Sequence, residues 1–128
     1  MKYLVSTSKS INEAYEALQQ AISNNGFGLQ YTHNIEEKLS NKGVTLGRKC
    51  LVLDICQPHI AKEILDIDPS VSALLPCSIS VYEDESKTNI CLVKPSFIFP
   101  QLNEKLKEVM QRVEKSIFKI IDEAAKED

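Results

Sequence analysis

The chain has 128 residues, 43% hydrophobic and 26% charged, the make-up of an ordinary folded protein expected to form one domain over residues 1–128. Its net charge of −3 and pI near 5.4 argue against nucleic acid or an anionic membrane as a partner, because both call for a basic patch. No apolar run approaches the roughly 20 residues of a membrane span, and the opening MKYLVSTSKS lacks a signal-peptide pattern, so a cytoplasmic location is expected.

Residues 2–7, KYLVST, read as a short strand. Ser10 precedes a helical pattern with Glu13 three positions on, a capping box in which each side chain satisfies an amide left open by the first turn. Ile11, Ala14, Tyr15, Leu18, Ala21 and Ile22 give that helix one apolar face, and Gly26 closes it in a left-handed conformation. Phe27, Leu29 and Tyr31 alternate with Gly28, Gln30 and Thr32 in a second strand that ends at His33. Ile35 and Leu39, four apart in a polar stretch, suggest a short helix ending before Gly43 or else a mobile loop over the sheet edge.

In the third strand, residues 50–56, Leu51, Leu53 and Ile55 point one way and Cys50, Val52, Asp54 and Cys56 the other. Pro58 suits a first helical turn, Ile60, Ala61, Ile64 and Leu65 form that helix's buried side, and Asp68-Pro69 ends it. Val71, Leu74 and Leu75 make a short apolar turn broken by Pro76. Cys77, Ile79 and Val81 then alternate with Ser78, Ser80 and Tyr82 in a fourth strand, joined through the polar EDESK turn to a fifth over residues 88–94. Pro95 and Pro100 bracket an extended link, SFIF. A long last helix follows, with Leu102, Leu106, Val109, Val113, Ile117, Ile120 and Ala124 along one stripe. Phe118 falls off that stripe and is a candidate subunit contact; the closing KED is a solvated terminus.

The order β-α-β-(α)-β-α-β-β-α defines an α+β two-layer sandwich, a mainly antiparallel five-stranded sheet with long helices on one face. The other face would carry Leu4, Val52, Tyr82, Cys91 and Val93, too apolar a set to stay wet, so a second copy of the chain or a ligand is expected there.

The central stretch resembles the family called domain of unknown function 302. Its members carry a Cys-Asn-Pro-x-x-Ala turn and a Leu-Pro-Cys leading into a strand with Val-Tyr-Glu-Asp. Here these read Cys56-Gln57-Pro58-His59-Ile60-Ala61, Leu75-Pro76-Cys77 and Val81-Tyr82-Glu83-Asp84, with Gln57 in place of the usual Asn. SINEAYEALQQAISNNGFG matches the family's first helix, and Pro95 a proline after its last strand. The resemblance implies a TATA-binding-protein-like α/β fold, often dimeric, with strands three and four adjacent and antiparallel. It implies no reaction, and relatives with Gly and Leu at the two cysteine positions show that thiol chemistry is not family-wide.

That strand adjacency brings the end of strand three, Cys56, beside the start of strand four, Cys77. Cys56 also precedes the positive end of the Pro58 helix, and His59 adds a Cys-x-x-His spacing. Two sites follow from these residues: a ligand or thiol site of Cys56, Cys77, Pro58 and Asp54, and a soft-metal site of Cys56, Cys77 and His59. Against both stands the ordinary packing of cysteine as a small hydrophobe, the simplest reading of Cys50 and Cys91. Asp54, an acid between apolar neighbours, needs either a cation such as Arg48 or Lys49 or a polar cavity. Glu83, Asp84 and Glu85 sit in a turn that leaves them solvated. No Cys-x-x-Cys, G-x-S-x-G, phosphate loop or dinucleotide fingerprint occurs.

Three functions remain open on the sequence. The first is a small cytosolic homodimer binding a ligand, soft metal or sulfur species at the cysteine rim. The second is an interaction or scaffold module whose cysteines are structural, and the third a thiol-dependent enzyme.

Overall fold

Ser10 Oγ accepts a hydrogen bond from the Glu13 amide at 3.1 Å, and Glu13 Oε1 accepts one from the Ser10 amide at 2.9 Å, so the capping box forms. From it the first helix, α1, runs over Ile11–Asn24 in the computed structural model, which describes residues 1–127. Gly26, at φ +77°, takes the left-handed conformation, and the Phe27 amide returns to the Ile22 carbonyl at 3.0 Å to close the helix.

The five strands are β1 (Lys2–Thr7), β2 (Gly28–Asn34), β3 (Cys50–Cys56), β4 (Cys77–Asp84) and β5 (Lys87–Val93). They form one antiparallel sheet in the order β1-β5-β4-β3-β2. Between them lie α2 (Ile35–Ser40) and α3 (Pro58–Ile67), the latter followed by a 3-10 turn over Pro69–Leu74. After β5 come α4 (Pro95–Leu102), a 3-10 turn over Glu104–Leu106 and the long α5 (Lys107–Ala125).

One sheet face packs against α1 and α5, the α+β sandwich expected from the element order. Leu53, Ile55, Ile79, Val81, Ile90 and Leu92 meet Leu18, Ile22, Val113, Ile117 and Ile120 there in a fully buried cluster. A second cluster, Ile64, Val71, Phe99, Leu106, Val109 and Met110, ties α3, α4 and α5 together beyond the strand ends.

The alternation of Phe27, Leu29 and Tyr31 does not survive. A bulge in β2 pairs Leu29 with Ile55 but Tyr31 with Asp54, so one extra residue, Gln30, shifts the phase and sends Tyr31 to the outer face, 56% exposed. The SFIF link is helical rather than extended. Pro95 occupies the first turn of α4, where its missing N–H costs nothing, and burial of Pro95 and Phe99 outweighs the penalty of Pro100 within the helix. The last helix consequently starts later than its apolar stripe suggests, and Leu102 is 59% exposed. Phe118 is not a free surface ring: it stacks on Tyr3 of the edge strand β1 with centroids 4.1 Å apart. In the closing charged run, Lys126 and Glu127 are exposed and Asp128 lies outside the described residues. Among the described residues no helix is long and apolar enough to cross a membrane.

Candidate functional site

At the end of β3 the chain turns through Gln57 into α3. Gln57 Oε1 accepts from the Ile60 amide at 2.9 Å and caps the helix, with Pro58 at its first position. The 3-10 turn then carries the chain back over the sheet end, and Pro76 leads into β4. The space left between α3, this turn and the two strand ends is a cavity of about 400 Å³. Phe27, Ile55, Ile64 and Val113 supply its apolar floor, and Cys56, Cys77 and Gln57 line it as well. Its size is that of a small-ligand site, apolar walls with a few polar groups.

Cys56 and Cys77 are thus brought to one cavity, and all four cysteines are free thiols. The apolar wall disfavours a thiolate at Cys77 and pushes its pKa up to about 11, with the nearby Cys56 adding to the rise. Cys77 is therefore a neutral thiol near neutrality. Cys50 and Cys91, on the strands' outer side, have thiol pKa values raised by burial in the same direction.

The other residues singled out from the sequence stand apart from this cavity. Pro58 and His59 are exposed and line no part of it. The metal triad of Cys56, Cys77 and His59 does not assemble: among the described residues no three His, Cys, Asp or Glu side chains gather so as to hold an ion. Asp54 faces the outer side of the sheet. Neither Arg48 nor Lys49 is its partner; its carboxylate meets His33 Nε2 at 2.8 Å and accepts the Ser78 hydroxyl at 2.8 Å. Arg48 pairs instead with Asp84 at 3.5 Å.

The outer face itself is as expected from the alternation. Leu4, Cys91, Ser80, Val52 and His33 form one cross-strand row spanning all five strands, and Val93 and Lys2 form the next pair along. Leu4 and Val93 are 44% and 49% exposed. A second cavity, of about 270 Å³, opens on this face between Val52, Ser80, Cys91 and the α4 residues Ile98 and Phe99. Ile60, Ala61, Ile64 and Leu65, read from the sequence only as a core stripe, line the first cavity as well. Their period marks the inward side of α3 but not whether that side meets atoms or space.

Fold and cavity together define a small two-layer α+β protein with a thiol-walled apolar pocket at one end of its sheet. The family Domain of unknown function DUF302 matches residues 3–124, and the chain belongs to it. The crystal structure of an uncharacterized conserved DUF302 protein from Bacillus stearothermophilus is similar throughout, with a TM-score of 0.92, 29% identity and 98% of each chain covered. No curated protein matches the chain.

Proposed function

We propose that this chain is a ligand-binding protein whose apolar cavity takes a small, largely apolar molecule presenting a soft, thiol-seeking atom to Cys56 and Cys77. The observation that carries the reading is the presence of both cysteines on the wall of one cavity of about 400 Å³. Neighbouring thiols in an apolar setting favour soft partners, such as sulfane sulfur, arsenicals or thiophilic metals, over hard oxygen-seeking ions. The neutral thiol at Cys77 supports a binding role over nucleophilic catalysis by that residue. Free thiols support a cytoplasmic location, where glutathione keeps cysteine reduced.

Phenylarsine oxide tests this directly, because it joins an apolar ring to an arsenic atom that two neighbouring thiols bridge with loss of water. Intact-mass measurement is expected to show one adduct on the native protein and none on Cys56→Ser or Cys77→Ser. An adduct retained by both variants, or absent from the native protein, removes the thiol site. Binding of the apolar dye anilinonaphthalene sulfonate to both variants would then leave only an apolar pocket.

Exposure of Leu4 and Val93 side by side on the outer face favours a second reading alongside the first, a homodimer joined through this face. Sedimentation of the native protein is expected to give twice the chain mass, and Val93→Lys to give the monomer. A native monomer would leave the face to another partner, the scaffold role.

A further inference from the structure

His33 stands near the end of β2 on the outer face, with both ring nitrogens engaged. Nε2 lies 2.8 Å from Asp54 Oδ2 on β3, and Nδ1 lies 2.7 Å from Lys38 Nζ on α2. Tyr31, from the same strand, meets the ring edge-on with centroids 4.6 Å apart, and Lys38 Nζ lies 5.6 Å from the centre of the Tyr31 ring. Asp54, Lys38 and Tyr31 are the titratable groups that face the imidazole from β3, α2 and β2. Ser78 on β4 acts only through Asp54, to which its hydroxyl donates.

An ammonium group can only donate, so the two contacts fit a ring that accepts from Lys38 at Nδ1 and donates to Asp54 from Nε2. The tautomer follows from these partners. A second proton on the ring would convert Nδ1 from acceptor to donor and set an imidazolium against an ammonium at hydrogen-bond distance. The bond to Asp54 would survive that change and the bond to Lys38 would not. Lys38 is exposed and its long side chain is free to swing away. The helix that carries it is loosely held: α2 has no buried residue, and its capping bond, from the Glu37 amide to Asn34 Oδ1, is local.

We propose that His33 is a protonation-controlled latch on α2. Neutral, it holds the helix to the sheet edge through Lys38; protonated, it releases that hold. Histidine is the side chain suited to such a role, since its charge ordinarily changes between about pH 5 and 8. The latch is independent of the cysteine cavity, which lies on the other side of the sheet.

Nuclear magnetic resonance of the full chain over that pH range, following the His33 ring carbon and the backbone amides of residues 35–40, tests it. The ring and the α2 amides are expected to move together in the native protein. In His33→Gln the amide movement is lost, and in Lys38→Met the ring titrates while the amides stay still. Three results would overturn the latch: a ring that titrates past stationary α2 amides, a ring that does not titrate at all, or amide movements unchanged in His33→Gln. The last would assign the effect to Glu36 and Glu37 on the helix itself.

Discussion

Cys77 sits opposite Ile55 in the β3–β4 ladder, while Cys56, one residue further on, pairs with Gly28 on the other side. In a regular pleat, side chains one position apart point to opposite faces. The β3–β4 ladder stops at Ile55 and the chain turns into α3 directly after Cys56, which lets the last residue of β3 line the same cavity as the first residue of β4. Termination of the strand, not its period, unites the two thiols.

The unequal surroundings of the two thiols predict an order of alkylation. Burial holds Cys77 protonated up to about 11, so at neutral pH only a minute fraction of it is thiolate. With iodoacetamide, peptide mass mapping is expected to show Cys77 modified late, its rate still climbing beyond pH 10. A Cys77 rate that levels off near pH 9 would show that the cavity wall does not desolvate it.

The same shift couples Cys77 to stability in alkali. Its pKa is about 11 in the folded chain against an ordinary 9.0, so between those values the folded state binds more protons than the unfolded one. Stability from this thiol is full below about pH 9 and is lost as pH rises toward 11. Two pH units set a ceiling of about 2.7 kcal/mol, lowered by the opening of the cavity to solvent. Urea unfolding is expected to show a shallower alkaline decline for Cys77→Ala than for the native chain. Cys50 and Cys91 titrate in both proteins and cancel in the comparison. Identical slopes would refute the linkage.

Gln57, where the resemblance to the family implies Asn, serves as the helix cap: its oxygen accepts from the Ile60 amide at the start of α3. Gln57→Ala is expected to cost about 1 kcal/mol and to weaken anilinonaphthalene sulfonate binding, because α3 forms one wall of the cavity. Gln57→Asn is expected to retain both stability and binding. Equal losses in the two variants would mean that the longer side chain has a further role.

Much of this architecture was legible because local rules and burial agree. The Ser10–Glu13 box, the Gly26 stop and the inward sets Leu51-Leu53-Ile55 and Cys77-Ile79-Val81 are each dictated by a short pattern, and each forms. What could not be read off has physical causes. The bulge at Gln30 moves Tyr31 and His33 to the outer face, and no residue type announces it; without that shift His33, paired with Val52, would not share a face with Asp54. The helix over Pro95–Leu102 runs against the proline rule because burial of Phe99 decides it. His59, three residues from Cys56, turns outward with the exposed side of α3, so among the described residues the Cys-x-x-His spacing gathers no group of three ligands.

Gly26 offers a clean measure of backbone strain. A methyl group there would touch nothing within 4 Å, yet φ is +77°, so Gly26→Ala tests conformation alone. The expected loss is about 1 kcal/mol in urea unfolding. Gly26→Asn is expected to lose less, since asparagine tolerates the left-handed region. No loss in either variant would mean that the turn relaxes without penalty.

Two neighbouring positions on α5 separate packing from charge. Met110 is fully buried in the cluster that joins α3, α4 and α5, whereas Arg112 reaches across to α3 as an ion pair with Glu63, the two side chains 54% and 43% exposed. Removing the methionine side chain deletes dispersion contacts and leaves a void that the packed helices can only partly fill, a cost of about 2–5 kcal/mol for Met110→Ala. Removing the guanidinium returns Glu63 to water, which solvates it almost as well, so Arg112→Ala is expected to cost about 1 kcal/mol or less, a cost that shrinks further as added salt screens the native pair. Urea unfolding of the two variants at low and high ionic strength checks the ranking. If Arg112→Ala proved the more damaging, the contact of α3 with α5, and with it the cavity wall, would be held electrostatically rather than by the apolar cluster beneath it.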